Sequence, residues 1–167
     1  ESGTIPSGGS KTITVPNLSQ WVRPSEWLDL PEVSQGDNVF YGLLAVFEGY
    51  PNTIAIAKQE SAFIDWGDGN TETSSGFINH TYDYSTVSGV VNVYKDGRNY
   101  KQVIVQIDLP AVERQLFVDR TPSVSVGLKS GMAVNWLDIV IATPTTPSGG
   151  TFDFSISAFS ATLRAKY

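Results

Sequence analysis

The sequence predicts an all-β fold, and three observations lead to this prediction. Hydrophobic residues make up 41% of the 167 residues, aromatic residues 11% and charged residues only 17%, a balance that favours half-buried strands over long helices. Short apolar runs, many of them alternating with polar residues, recur along the chain. Glycine, proline, asparagine and aspartate separate these runs, as expected for turns between strands.

Residues 1–20 predict an N-terminal arm followed by an edge strand. Residues 1–10 are rich in glycine, serine and proline, which is typical of a flexible arm. Residues 11–15 alternate between polar and apolar side chains, so we expect a short strand there. Pro16 ends this strand or keeps it at a sheet edge, because proline donates no backbone hydrogen bond.

Residues 23–31 are the best helix candidate in the chain. Prolines at both ends limit such a helix to one or two turns. Trp21, Trp27 and Leu30 are expected to cover one end of the core. An exposed aromatic platform for a ligand is the alternative interpretation of these side chains.

The most apolar stretch predicts a central strand. Val39 to Phe47 carries apolar residues on both parities, a pattern that indicates burial on both faces. Gly42 is expected at a close approach of another element. A turn is predicted at residues 48–52, and two further strands at 53–57 and 62–66.

Residues 87–107 predict a β-hairpin. Two runs of strand-forming residues flank Lys95, Asp96, Gly97 and Arg98. An Asp-Gly pair between two such runs is a strong short-range hairpin signal.

Residues 108–110 are the most plausible internal boundary, and more strands are expected after them. The predicted strands are residues 115–118, 123–128, 133–142 and 151–165. The period-two pattern of the last run slips by one residue, so it contains a bulge or crosses between sheets. The strands after residue 110 either extend the preceding sheet or form a small separate β module.

One stretch carries a distinctive motif. Residues 63–66 favour a strand, and residues 67–70 (Gly-Asp-Gly-Asn) favour a tight turn, because glycine adopts positive φ without a Cβ clash. A short Asp side chain can bond its own backbone and hold such a turn. A loop and the beginning of a second strand at residues 79–84 are expected to follow.

The motif consists of Asp65-Trp66-Gly67-Asp68-Gly69, followed after a spacer by His80-Thr81-Tyr82. This pair resembles the signature of PKD-like domains, which are immunoglobulin-like β-sandwich modules of extracellular and surface proteins. The resemblance implies that Trp66 packs in the core and that His80 caps or braces the turn. It implies no catalytic role. The structural turn motif comprises Asp65, Trp66, Gly67, Asp68, Gly69, His80 and Tyr82.

Four further segments lie at residues 21–28, 41–47, 100–105 and 136–140, in that order. Together they are similar to virion structural proteins of marine tailed phages, which carry a PKD-like region of this kind. The resemblance implies a PKD-like sandwich over residues 21–109, preceded by the arm at 1–20 and followed by additional C-terminal strands at 110–167.

The sequence does not favour an enzyme. His80 is the one histidine in the sequence, and a Ser-His-Asp triad would need it as its base. Ser61, Ser74 and Ser75 lie nearby, but no nucleophile-elbow pattern surrounds any of them. A hydrolase with two carboxylates across a cleft stays open, although the 17 acidic residues make some such pair inevitable.

A metal or cofactor is not expected. Asp65, Asp68, Glu72 and Asp83 offer oxygen ligands near a glycine loop, and calcium binds such ligands. Asp65 and Asp68 are the weak calcium candidates, but they lack the alternating acidic pattern of known calcium loops. Zinc is less favoured still, because the chain has one histidine and no cysteine.

The charge of −6 argues against a nucleic-acid partner, because neutralising phosphates requires clustered lysine and arginine. No apolar run approaches the ~18 residues of a membrane span, so membrane insertion is not expected.

The resemblance to these virion proteins implies a structural function. We expect a non-enzymatic virion protein of a tailed phage, as a capsid decoration protein or as part of a tail or fibre appendage on the particle surface. Its expected partners are other virion proteins and further copies of itself. The alternative is an adhesion module of the same fold that binds a carbohydrate or host surface, with a host-surface glycan as the ligand.

Overall fold

The computed structural model describes residues 22–34, 36–113, 115–119, 135–142, 153–156 and 159–166. These residues form nine strands and no helix, so the all-β prediction is confirmed. The strands are β1 Val39–Phe47, β2 Asn52–Asp65, β3 Thr71–Tyr82, β4 Asn92–Val93, β5 Asn99–Asp108, β6 Gln115–Asp119, β7 Asn135–Ala142, β8 Asp153–Ile156 and β9 Phe159–Lys166.

The strands hydrogen-bond in the order β8-β6-β2-β5-β1-β7-β9, with β3 added to β2 and β4 added to β5. The pairs that involve β1, β2 and β5 are antiparallel. The two outermost pairs, β6 with β8 and β7 with β9, are parallel. Side chains of β1, β2, β5, β6 and β7 share one core cluster, which gives a sandwich-like fold.

β2 pairs with two different neighbours along its length, on the side away from β3. Residues 55–58 pair with β6, whereas residues 63–65 pair with β5. Between these parts, the pairing with β3 shifts register between Lys58 and Ala62. The prediction of two separate strands at 53–57 and 62–66 is wrong, because the polar residues between them form a bulge inside one strand.

Two buried charged side chains hydrogen-bond to backbone groups at and beside this bulge. The Glu113 carboxylate is fully buried and accepts hydrogen bonds from the backbone N–H groups of Gln59 (3.2 Å), Glu60 (3.0 Å) and Gln115 (3.1 Å). The Lys58 ammonium donates to the Ser74 carbonyl on β3. Buried backbone groups need partners, and here side chains replace the missing ladder bonds. We call the bulge residues 58–61, together with Glu113 and with Gly76 opposite Lys58 on β3, the bulge corner.

β1 is buried on both faces, as predicted. Phe40, Leu44 and Val46 belong to the main core, while Leu43, Ala45 and Phe47 belong to a second cluster on the outer face. The close approach predicted at Gly42 is confirmed. A Cβ atom at this position would overlap the Trp136 ring and the Phe40 ring.

A segment without regular structure, residues 22–34, covers this outer face, and we call it the strap. Trp27 and Leu30 pack against the second cluster, which confirms the covering role predicted for them; Trp21 lies outside the described residues. The helix candidate at 23–31 is wrong. A single turn forms instead, in which the Trp27 N–H donates to the Pro24 carbonyl at 3.2 Å.

Two polar side chains fix the strap to the sheet. The Arg23 Nε lies 2.8 Å from Oδ2 of Asp138, whose side chain is fully buried. The Gln102 side chain accepts from the Leu28 N–H (2.9 Å) and donates to the Glu26 carbonyl (2.8 Å). The strap is therefore bound through side chains and forms no strand pair with the described sheet.

The predicted hairpin is confirmed, with a shorter first arm. β4 contains only Asn92 and Val93, which pair with Tyr100 and Asn99. Gly97 closes the turn at a φ of 87°. Val87, predicted to lie in the hairpin arm, instead packs in the main core.

The strands after residue 110 join the strands before it. β6 pairs with β2 and β7 pairs with β1. β8 pairs with β6 and β9 pairs with β7, at opposite ends of the strand order. The period slip thus corresponds to a crossing. The strand predicted at 123–128 and the arm at 1–20 lie outside the described residues.

Candidate functional site

The candidate site is the turn that closes the β2–β3 hairpin. β2 ends at Asp65 and β3 begins at Thr71, directly after the glycine turn. β3 then continues to Tyr82 without interruption. The prediction of a loop before a second strand at residues 79–84 is therefore wrong: His80 and Tyr82 lie at the end of the same strand that leaves the turn.

The hairpin must bend for the two halves of the motif to meet. A straight strand from Thr71 to His80 would span about 30 Å. Nevertheless, His80 Nε2 lies 2.8 Å from Oδ2 of Asp68 in the turn. The bend occurs at the bulge corner, where Gly76 adopts a φ of 73° opposite Lys58. The corner thereby brings the tip of the hairpin onto its own base.

Aspartate side chains hold the turn itself. Asp65 Oδ1 accepts from the Gly67 N–H at 2.8 Å, and Asp68 Oδ1 accepts from the Asn70 N–H at 3.1 Å. The Trp66 N–H donates to the Asn70 carbonyl at 3.0 Å and closes the turn. These are the local bonds that short Asp side chains make in turns.

Two glycines are required by the turn for different reasons. Gly67 and Gly69 both have positive φ, 75° and 93°, which non-glycine residues rarely adopt. At Gly67, a Cβ atom would also overlap the backbone carbonyl of Ile104 on β5, whereas nothing lies within 4 Å at Gly69. Gly67 therefore also allows the turn to pack directly on β5.

Three rings form a stack beneath the turn. The His80 ring lies parallel to the Trp66 ring, with centroids 4.6 Å apart and planes 8° apart. The Tyr82 ring meets His80 edge-on at 4.6 Å. Trp66 is buried in the main core, and its Nε1 donates to Glu72 at 2.7 Å. The Tyr82 hydroxyl donates to the Trp66 carbonyl at 3.0 Å.

The electrostatics of the site favour a charged Asp68 and a neutral Tyr82. Burial would raise the pKa of Asp68, but hydrogen bonds from His80 and Asn70 outweigh it and lower the pKa below its usual value. Burial, together with Asp68 and Asp65, raises the pKa of Tyr82 well above 10. The phenol therefore stays protonated and keeps its hydrogen bond to Trp66.

The polar side chains of the motif bond largely to one another. His80 is engaged by Asp68, Trp66 and Tyr82, and no serine in the described ranges hydrogen-bonds to it. Asp68 uses both carboxylate oxygens within the motif. No group of three or more potential metal ligands occurs in the described part of the chain. Asp83 lies in a different turn, where it accepts from Ser85.

Sequence reasoning missed two parts of this arrangement. Glu72 was considered only as an oxygen ligand, although it is the partner of the Trp66 indole. The alternating pattern of β3 could have indicated this role. Glu72 and His80 are an even number of residues apart on this strand, and both side chains are partly buried. The bulge corner depends on Glu113, which is 53 residues from Glu60, and no local pattern indicates that pairing.

A second surface feature lies beside the turn. A groove of about 580 Å³ runs between the strap and the loop before β4. Leu28 and Glu26 form one wall, Val90 forms the other, and β5 residues 102–104 form the floor, with Gly67 at one end. We call it the β5 groove. The sequence did not predict it.

No protein-family model, curated protein or solved structure matches this chain. Among the residues that the structure describes, no helix is long and apolar enough to cross a membrane.

Proposed function

We propose that the chain is a non-enzymatic structural protein of a tailed-phage virion. In this proposal it has a PKD-like sandwich and acts by assembling with other virion proteins and with copies of itself, in a capsid decoration or in a tail or fibre appendage. The proposal rests on the resemblance of its motif and accompanying segments to such proteins. The single structural observation that supports it best is that the side chains of Asp65, Asp68, His80 and Tyr82 all hydrogen-bond within the turn and the strand end beside it.

Bracing argues against catalysis for a physical reason. A general base needs a free lone pair within reach of a substrate proton. The His80 ring lies between the rings of Trp66 and Tyr82 with its Nε2 bonded to Asp68, and no serine in the described ranges hydrogen-bonds to its other nitrogen, as a serine nucleophile would. A histidine in this setting stabilises the fold, and a structural module is the function that such a site supports.

One strand edge supports a role in assembly. β3 pairs with β2, and no other described strand pairs with β3. Its 12 residues include neither proline nor lysine, the residues by which sheets commonly protect free edges. Phe77 on β3 and Phe63 on β2 remain 48% and 40% exposed. Such an edge favours contacts with another protein surface.

The alternative, a carbohydrate-binding adhesion module, is favoured by one surface cluster. Tyr50 is 42% exposed, and the Arg98 guanidinium lies 5.1 Å from its ring centroid. Asn99 and Glu48 hydrogen-bond beside it at 2.8 Å. An aromatic face next to polar groups is a setting in which sugars bind. Glycan binding that is lost in Tyr50→Ala and kept in Phe77→Ala would support this alternative.

Electron microscopy of purified phage particles labelled with antibody against this chain tests the main proposal. Label on the capsid shell supports a decoration protein, and label at the tail or fibre supports an appendage. Particles that carry no label, with the chain detected on the bacterial surface instead, would overturn the virion proposal and favour the adhesion module.

A further inference from the structure

The free edge of β3 is long and unobstructed among the residues that the structure describes. β3 pairs with β2 along one side, and no other described strand pairs with it. Gly76, at the bulge corner, is exposed, and a Cβ atom added there would meet nothing within 4 Å. An edge of this kind offers backbone N–H and C=O groups to a further strand.

The outward side chains of β3 carry no charge. Exposed and partly buried positions alternate along the strand, as the two faces of a pleated strand require. Glu72, the one acidic residue of β3, lies on the inner face, where its carboxylate accepts from the Trp66 indole. Two β3 edges can therefore approach each other without opposing like charges on the outer face. The exposed side chains of that face are Thr71, Thr73, Ser75, Phe77, Asn79 and Thr81.

The outward residues are arranged symmetrically about Phe77. In an antiparallel pair, residues at equal distances from the centre of the two strands lie opposite each other. With Phe77 at the centre, this residue lies opposite its own copy. The flanking pairs are then Ser75 with Asn79 and Thr73 with Thr81. Aromatic pairs and Thr–Thr pairs are among the cross-strand pairs that stabilise sheets, so the outer face of β3 is complementary to a second copy of itself.

The bend of β3 favours the same register. The strand bends at Gly76, which has a φ of 73° and precedes Phe77 directly. A straight partner strand could follow only one of the two arms, residues 71–75 or residues 77–82. A second copy that pairs about Phe77 bends at the same level and in the same sense, because a two-fold axis relates the two strands. Both arms can then pair at once.

The overall charge of the chain does not oppose this contact. The chain carries a net charge of −6, and the exposed Glu60 lies in the bulge of β2, one strand away from the edge. In the paired arrangement the two β2 strands are three strand spacings apart, about 14 Å. This separation exceeds the Debye length of about 8 Å at physiological ionic strength. Repulsion between the two bulges is therefore largely screened.

We propose that β3 is the edge through which two copies of this chain form a dimer, paired antiparallel with a two-fold axis at Phe77. The two β2–β3 hairpins then form one continuous four-stranded segment, and the pairing covers Phe77, which is 48% exposed in the single chain. The inference deepens the proposed function, because it rests on the self-assembly proposed there and names the surface that carries it.

Crosslinking of cysteine variants tests the register, because the chain contains no native cysteine. Phe77→Cys places two thiols opposite each other across the axis. The control is Thr73→Cys, which is also exposed on the outer face, but its own copy lies eight residues away along the paired strands, about 27 Å. Under mild oxidation, covalent dimers of Phe77→Cys should form at least about tenfold faster than those of the control.

A double variant keeps the aromatic pair. Thr73→Cys combined with Thr81→Cys retains Phe77, and covalent dimers of it should form as fast as those of Phe77→Cys, because these two residues lie opposite each other across the interface. Equal rates in Phe77→Cys and in Thr73→Cys alone would overturn the proposal.

Analytical ultracentrifugation of the full chain, from micromolar to millimolar concentration, provides a second readout. Phe77→Lys should raise the dissociation constant of the dimer at least about tenfold, because it replaces an aromatic pair with two like charges that face each other. Phe63→Lys is the matched control, since Phe63 is 40% exposed but lies on β2, and it should change the constant less than about threefold.

Two results of this measurement would overturn the proposal. The first is a parent chain that stays monomeric at millimolar concentration. The second is equal weakening by Phe77→Lys and Phe63→Lys, which would indicate packing through the exposed face instead of pairing through the edge.

Both tests use purified protein and are separate from antibody labelling on particles. Dimers in solution together with unlabelled particles would overturn the virion role alone. Monomers in solution together with labelled particles would overturn the β3 dimer alone.

Discussion

The glycine turn and the bulge corner lie on the same β2–β3 hairpin, yet they are built in different ways. In the turn, polar partners are at most 16 residues apart, as between Tyr82 and Trp66. At the corner, the decisive partner is Glu113, which reaches backbone groups 53 and 54 residues away. The turn is thus a local structure, whereas the corner requires the rest of the sheet to be in place.

The two regions also depend on each other. The corner bends the hairpin, and only a bent hairpin brings Asp68 to His80. A motif with a local sequence signature can therefore still depend on a distant residue that is not part of the signature. Substitutions in the turn change the local contribution to stability, and substitutions at Glu113 change the distant one.

The largest effect is expected at Gly67. Gly67→Ala should lower the free energy of unfolding by about 2–4 kcal/mol, since it adds a strained positive φ and an overlap with the Ile104 backbone. Gly69→Ala is the matched control, because it has the same type of φ and open space around it. Its cost should be about 1–2 kcal/mol. Urea denaturation of both variants measures the difference, and equal effects would refute packing of the turn on β5.

The next largest effect is expected at the corner. Glu113→Ala should destabilise the fold by about 3 kcal/mol, because it leaves two N–H groups in the bulge and the N–H of Gln115 on β6 without their acceptor. Glu60→Gln removes a charge from an exposed side chain of the same bulge and should change stability by less than about 0.5 kcal/mol. Similar midpoints in urea for the two variants would contradict the role assigned to Glu113.

A smaller effect is expected at His80. His80→Phe retains a ring that can stack on Trp66 but loses the hydrogen bond to Asp68, and it should cost about 1–2 kcal/mol. His80→Ala also loses the stack and should cost more. If His80→Phe were as stable as the parent, the hydrogen bond to Asp68 would contribute nothing.

The smallest effect concerns pH. The pKa of Asp68 is lowered in the folded protein, so its contribution to stability is present above its unfolded pKa of about 3.9. That contribution is lost as the pH falls through the folded pKa. Asp68→Asn should therefore flatten the stability profile below about pH 4 relative to the parent. Glu32→Gln, at an exposed strap position, controls for removal of a carboxylate, and an identical acid profile in Asp68→Asn and the parent would contradict the assignment.

Much of the fold could be predicted from local patterns. β1 was predicted because its apolar residues occupy both parities, and the structure buries both faces. The hairpin at Gly97 was predicted because Asp-Gly favours one kind of turn. These signals lie within a few residues of the structure that they specify.

Other features could not be predicted because their causes are distant in sequence. Residues 58–61 are polar and resemble a turn, but Glu113 stabilises them as a bulge inside β2. β4 pairs with only two residues of β5, and the β5 groove lies beside the residues that follow them. Pairing of this kind depends on which strands become neighbours, and no local period carries that information.

The central claim is that the bulge corner holds the glycine turn against His80, and a double-mutant cycle tests it most directly. The cycle combines Glu113→Gln with His80→Ala and measures the free energy of unfolding of the parent, both single variants and the double variant. If the corner positions the turn, the double variant should lose at least about 0.5–1 kcal/mol less than the sum of the single losses. Losses that add within about 0.3 kcal/mol would show that the two regions are independent and would contradict the claim.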